Sequence, residues 1–235
     1  ISRSIKRPDF TNDINESSPT GTYILQENGT SSPYKVYCHM TDIPGCGGGG
    51  WTLVLKVDGN KNTFKYGSPL WTNNESYAVE DGLEGLTERE SKLGSYWNTP
   101  FKKICLGMAV NGDKKWMMLD YEASSLYSVI ADGKYRSTSA GRATWLSLIA
   151  DSSLLAYCNY EGFNINLKVA QTKLWHMYVR LGLVANNEDN CASTDSWIGF
   201  GVEYVGCVES HQACGNRVHC SSNVDLPAFG YILVQ

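Results

Sequence analysis

The chain has 235 residues, 42% of them hydrophobic and 19% charged, with a formal net charge of −4. This length can bury a sizeable core, and the composition is that of a globular protein rather than a disordered or fibrous one. The acidic balance argues against nucleic acid and anionic lipid as partners, and no run of about 18 apolar residues is present to span a membrane as a helix.

The chain starts "ISRSIKRPDF", without Met or an apolar leader, and reads as a mature or trimmed fragment. Residues 1–20 are polar and aperiodic, a lead-in or linker. Strand signals then follow at "GTYIL" (21–25), "YKVYCHM" (34–40) and "WTLVLKV" (51–57), the last with Trp51, Leu53, Leu55 and Val57 on one face. The middle is polar, and within it "LTERESKL" has a helical pattern. "KICLGMAV" and "KWMMLDY" flank the turn "NGD" as a strand pair. Two further helices are expected, at "SSLYSVIADG" with Ser124 as cap and Gly133 as left-handed stop, and at "RATWLSLIA" over 142–150. "FNINLKV" and "YVRLGLVAN" are strands, and the apolar "AFGYILVQ" predicts a final strand inside the sheet. No linker interrupts residues 21–235, so one α+β domain is expected there.

The eight cysteines, Cys38, Cys46, Cys105, Cys158, Cys191, Cys207, Cys214 and Cys220, are even in number. N-x-S/T sequons stand at Asn15, Asn28 and Asn74. Together they predict an extracellular, disulfide-bonded, glycosylated protein. Gly47–Gly50 precede a strand rather than a helix, and no "GK[ST]" follows, so they serve positive φ and close packing before Trp51 rather than a phosphate.

The strings "GTYIL", "YKVYCHMT" and "GGGGWTLV" together resemble the opening of the fibrinogen-related and intelectin-like domains, in which a "YC-x-M" strand precedes "GGWT". The resemblance extends loosely over residues 21–235. "SPLWTNNESY", "SSLYSVIADG" and "FGYILVQ" look more like an invertebrate branch that includes coral skeletal-matrix proteins. It implies a single fibrinogen-like domain with a twisted, mainly antiparallel sheet, short helices and a large loop-rich C-terminal half.

"NNEDNCASTDSWIGFG" (186–201) is rich in hard oxygen donors of the kind calcium takes, but it lacks the glycine and terminal glutamate of an EF-hand. The "NCA" at 190–192 matches the stretch beside the calcium loop of fibrinogen-related domains, which implies Ca2+ at Glu188, Asp189 and Asp195 with Asn187 beside them; the alternative is a solvated acidic loop. In "GCVESHQACGNRVHCSS" (206–222), Cys207, His211, Cys214, His219 and Cys220 could hold zinc, but an oxidising compartment favours disulfides. The same segment resembles an intelectin stretch "GC-x-x-E-H-H-C", which implies Glu209 and His211 at a calcium completed by a sugar's vicinal diol; the alternative is that both are surface residues. Trp197, Tyr204 and Tyr231 could stack on a sugar or fill the core, and Trp175 reads as core. No "G-x-S-x-G" or "H-E-x-x-H" is present, so no catalysis is expected. The expected function is a secreted, calcium-dependent glycan-binding domain, with a glycan or extracellular glycoprotein as partner and a homo-oligomer as its assembly. The competing expectation is a structural subunit of extracellular matrix or filament that acts through protein–protein contacts.

Overall fold

The computed structural model describes residues 4–7, 10–13, 17–26, 32–166, 176–191, 193–205, 213–219 and 224–235. The chain runs through β1 (Ser4–Arg7), β2 (Phe10–Asp13), β3 (Gly21–Gln26), β4 (Tyr34–His39), β5 (Trp51–Asp58), α1 (Val79–Leu83), β6 (Ser91–Lys92), α2 (Ser95–Asn98), β7 (Phe101–Val110) and β8 (Asp113–Ala123). It continues through α3 (Leu126–Ile130), β9 (Arg136–Ser137), α4 (Arg142–Leu146), β10 (Tyr157–Asn166), β11 (His176–Asn186), β12 (Ser196–Val205), β13 (Cys214–Val218), β14 (Asp225–Pro227) and β15 (Phe229–Val234). The first sheet is ordered β2-β1-β3-β4-β5-β15-β7-β8, with β6 also on β5; the second is ordered β14-β13-β12-β11-β10-β9. All pairings between these strands are antiparallel.

The expected α+β class is therefore corrected. Strand accounts for 47% and helix for 12%, and the described residues hold four short α-helices. Each helix is a single turn of four or five residues, too short to be stable without tertiary support. The pattern over "LTERESKL" is overridden by contacts: Glu90 accepts from Asp58 N (3.1 Å), and Lys92 turns inward to Asn73 O and Oδ1 (2.8 Å each). Ser125, not Ser124, caps α3, in a reciprocal bond pair with Ser128. The 142–150 helix ends at Leu146. Among the described residues the C-terminal half is dominated by strands rather than loops, with β10, β11 and β12 10, 11 and 10 residues long.

The main core lies between the sheets. Val54, Ile104 and Leu106 from the first meet Phe163, Leu181, Ile198 and Phe200 from the second, closed by Trp145, Leu126 and Ile130. The final strand does lie inside the sheet, between β5 and β7. β5 is buried from Trp51 to Val57 on both faces rather than on one. A second cluster behind it holds Trp51, Leu53, Cys105 and Tyr231. The glycine run lets the chain pass against β4: a Cβ at Gly49 would lie 1.8 Å from Met40 O. Asn111 and Gly112, at φ 50° and 85°, make the tight β7–β8 turn. Buried Lys56 donates to Asp81 O (2.7 Å), Gly85 O (2.8 Å) and Thr87 Oγ1 (2.9 Å), so the polar excursion between β5 and β6 hangs on two lysine amines.

The second sheet carries a feature that exists only across strands. Gly162 pairs with Gly182, Gly182 with Gly199 and Gly199 with Gly215, so four glycines cross four strands in one row. A Cβ on Gly182 would lie 2.4 Å from Ile198 O, and one on Gly199 2.5 Å from Leu181 O. The sheet folds along this row. Asp195 and Tyr204 are nine residues apart, about 30 Å in a flat strand, yet each lies close enough to shift the titration of the other. Thr194 Oγ1 likewise reaches Met177 Sδ (3.9 Å) across the bend. The two arms enclose a small core of their own: Val184 and Trp197 on one arm, Met177, Val179, Val202 and Tyr204 on the other.

Candidate functional site

The oxygen-rich stretch connects β11 to β12, and its anchor is the fully buried Asn186. Asn186 Nδ2 donates to Asn190 O (2.6 Å) and Ser193 Oγ (3.2 Å), and Ser193 Oγ donates to Glu188 Oε1 (3.3 Å). A short amide side chain thus replaces the backbone bonds that a regular turn would make. The far end is held by Asp195 N to Ala185 O (3.1 Å) and His219 N to Asp195 O (2.7 Å). The third tie is the Cys158–Cys191 disulfide, which joins the loop to the irregular start of β10. Cys158 and Asn159 there have φ of 74° and 47°, a left-handed backbone that costs non-glycine residues on the order of 1 kcal/mol. A loop with little apolar content is therefore fixed from three sides.

Asn187, Glu188, Asp189 and Asn190 are exposed, and Asp195 is half-buried. Burial raises the Asp195 carboxyl above its ordinary value; the charge of Glu188 adds to this, and the nearby His219 and Tyr204 oppose it. Glu188 and Asp195 are thus within electrostatic reach of each other. Asn186 Oδ1 is buried and has no hydrogen-bond partner among the described residues. No three His, Cys, Asp or Glu side chains among the described residues form a ready metal cage. The loop instead presents hard oxygens spread around one turn, from Glu188, Ser193, Asp195 and the Asn186 amide. These are donors of calcium chemistry rather than zinc chemistry. Asp189 and Asn187 extend from the same turn into solvent.

The aromatic residues are placed differently from the sugar-stacking expectation. Trp197, Tyr204 and Tyr231 are 1%, 7% and 0% exposed, so none offers a ring face to solvent. Trp197 and Tyr204 fill the folded second sheet, while Tyr231 lies in the first sheet with Lys114 Nζ 4.4 Å from its ring centroid. The exposed ring beside the loop is Tyr157, which is 49% exposed and pairs directly with Asn186. Sequence reasoning passed over Tyr157; its adjacency to Cys158 was the available cue. Farther along β10, Tyr160 stacks on Tyr135 with centroids 4.4 Å apart.

Among the described residues two disulfides are present, Cys46–Cys105 and Cys158–Cys191. Complete pairing is corrected at Cys214, a free and fully buried thiol whose pKa is pushed well up by burial. It faces the core beside Phe200 and Gly230, where no other described cysteine reaches. Cys38 is buried, with Sγ 4.0 Å from Thr52 Oγ1. Asn74 is exposed. Asn15, Asn28, Trp175, Cys207, Glu209, His211 and Cys220 lie outside the described residues. No helix among the described residues is long and apolar enough to cross a membrane. No protein-family model matches the chain, and no curated protein matches it.

Proposed function

We propose that the protein is an extracellular, non-enzymatic recognition domain in which the 187–195 loop binds calcium and contributes to glycan binding. The observation that carries this reading is the loop itself. Glu188 and Asp195 are held near each other on a polar turn pinned by Asn186 and by Cys158–Cys191. Crowded carboxylates repel, and a divalent cation removes that repulsion. Glu188, Asp189 and Asp195 would hold the ion, with Asn187 and the Asn186 amide oxygen as neutral donors. Tyr157 supplies the exposed ring on which a sugar's apolar face would lie. The two disulfides and the exposed Asn74 sequon support a secretory route. The resemblance to fibrinogen-related and intelectin-like domains points the same way.

The test combines melting and binding. Calcium at a hundredfold excess over Kd should stabilise the fold by about 2.7 kcal/mol relative to chelator. Asp189→Ala and Asp195→Ala should each reduce that difference, and Tyr157→Ala should weaken glycan-array signals without changing it. An identical melting midpoint in calcium and in chelator would remove the loop as a calcium site. Assembly into fibres with no array signal would favour a matrix subunit instead.

A further inference from the structure

The crease of the second sheet contains buried donors that the fold itself leaves unused. Arg217 on β13 is directly paired with Trp197 on β12, so their side chains share one face of the sheet. Arg217 is 7% exposed and Trp197 1% exposed. Arg217 Nε and Nη1 and Trp197 Nε1 are all buried, and none has a hydrogen-bond partner among the described residues. Leaving one such group unmet is unfavourable, and more so for a charged group. Three buried donors on two paired residues, none with a hydrogen-bond acceptor among the described residues, form a pattern with one sign.

The nearby acids do not complete it. Asp225 Oδ2 is 3.6 Å from Arg217 Nη1, beyond hydrogen-bond reach, and the Asp225 side chain is 42% exposed and solvated. Asp195 lies within electrostatic reach of Tyr204 and His219. Tyr204, on the opposite arm of the fold, lies close enough to feel the Arg217 charge. The Arg217 side chain keeps 8% of its surface open, while Nε and Nη1 themselves are covered.

We infer that this crease binds an oxyanion, a carboxylate or sulfate, through the Arg217 guanidinium and the Trp197 indole N–H. The chemistry follows from the donors: a guanidinium and an indole N–H offer only hydrogens, and an oxyanion offers only acceptors and brings the missing negative charge. The inference does not depend on calcium or on the 187–195 loop.

Isothermal titration of the intact chain at low ionic strength, with sodium sulfate, sodium glucuronate and glucose as probes, tests it. Both anions should bind saturably at one site and glucose should not. Glucuronate binding much tighter than sulfate would identify a sugar-borne carboxylate as the source, and equal affinities a free anion. Arg217→Met and Arg217→Lys should each weaken binding at least tenfold, the second because the charge stays while the donor geometry changes. The melting temperature of Arg217→Met should not fall, since the substitution removes a buried charge whose nearest carboxylate, Asp225, is solvated and beyond hydrogen-bond reach. No saturable heat with either anion in the wild type would overturn the inference, and that result needs no variant. Unchanged affinity in Arg217→Lys would place the anion elsewhere and overturn it equally.

Discussion

If the second sheet folds along its glycine row, one methyl group in that row should be expensive. Gly199 is the sharpest case. A Cβ there would lie 2.5 Å from Leu181 O, 2.8 Å from Gly182 Cα and 2.9 Å from Val179 Cγ1. Two of these neighbours are backbone of the paired strand, which cannot rotate away. Overpacking a rigid site costs about 1–3 kcal/mol, and backbone contacts put Gly199→Ala at the upper end. Alanine recovers about 0.5–1 kcal/mol through lower unfolded-state entropy. The net loss should be about 2–2.5 kcal/mol, which for a chain of this size lowers the melting temperature by about 4–10 °C. Gly48→Ala is the control, because nothing lies within 4 Å of its Cβ position; it should stay within about 0.5 kcal/mol of wild type. Adding Val179→Ala to Gly199→Ala should give back part of the loss beyond the additive expectation, since one contact is shared. Thermal melts of wild type, Gly48→Ala, Gly199→Ala, Val179→Ala and the double variant decide the matter. A Gly199→Ala melt within 1 °C of wild type, or strict additivity with Val179→Ala, would mean that the row is not where the sheet closes on itself.

The buried lysines give a pH signature. Burial lowers Lys56 and Lys92 to about 8 from 10.5, so between pH 8 and 10 the unfolded chain holds more protons and stability should rise with pH. Tyrosines raised by burial, Tyr135 and Tyr204 at about 12, reverse the sign above their ordinary value of 10.0, which confines the window to pH 8–10. Urea midpoints at pH 8, 9 and 10 should climb in wild type and climb less in Lys92→Met; a flat or falling wild-type series contradicts the assignment. The disulfides should differ in both size and consequence. Chain entropy assigns about 4.3 kcal/mol to Cys46–Cys105, with a separation of 59, and about 3.7 kcal/mol to Cys158–Cys191, with a separation of 33. Cys158→Ser should in addition expose the 187–195 loop to proteolysis, and a loop that stays resistant would show that the disulfide is not its tether. Asn74 should carry a glycan on material made through a secretory pathway, and peptide mapping that finds it bare would weaken the extracellular reading.

What could be read in the sequence was whatever a short window contains. Asn111–Gly112 announces its hairpin because both residues tolerate positive φ, and the apolar "FGYILV" announces an inside strand because no solvated edge would keep it. Glu188, Asp189 and Asp195 could be grouped because the chain itself puts them in one loop. Helix and strand were confused where burial depends on distant partners. "LTERESKL" has helical spacing, but an amine that must reach Asn73 and a carboxylate that must reach Asp58 keep it from coiling into a helix, and only Ser91–Lys92 pairs as strand.

The features that shape the candidate sites belong to no window at all. Gly162, Gly182, Gly199 and Gly215 are spread over 53 positions and become one row only once the register of four strands is known. That row determines the fate of the aromatics. Bending the sheet swings Tyr204 back onto Asp195, which takes Trp197 and Tyr204 out of solvent and leaves Tyr157 as the exposed ring beside the loop. The same bend brings Tyr204 close enough to Arg217 to feel its charge, although the two lie on different strands and different arms. Lone Trp, Tyr and Arg residues in a sequence say little about binding. Here the chemistry available to a ligand is decided by which of them the glycine row folds inward, and by the donors it leaves there without acceptors.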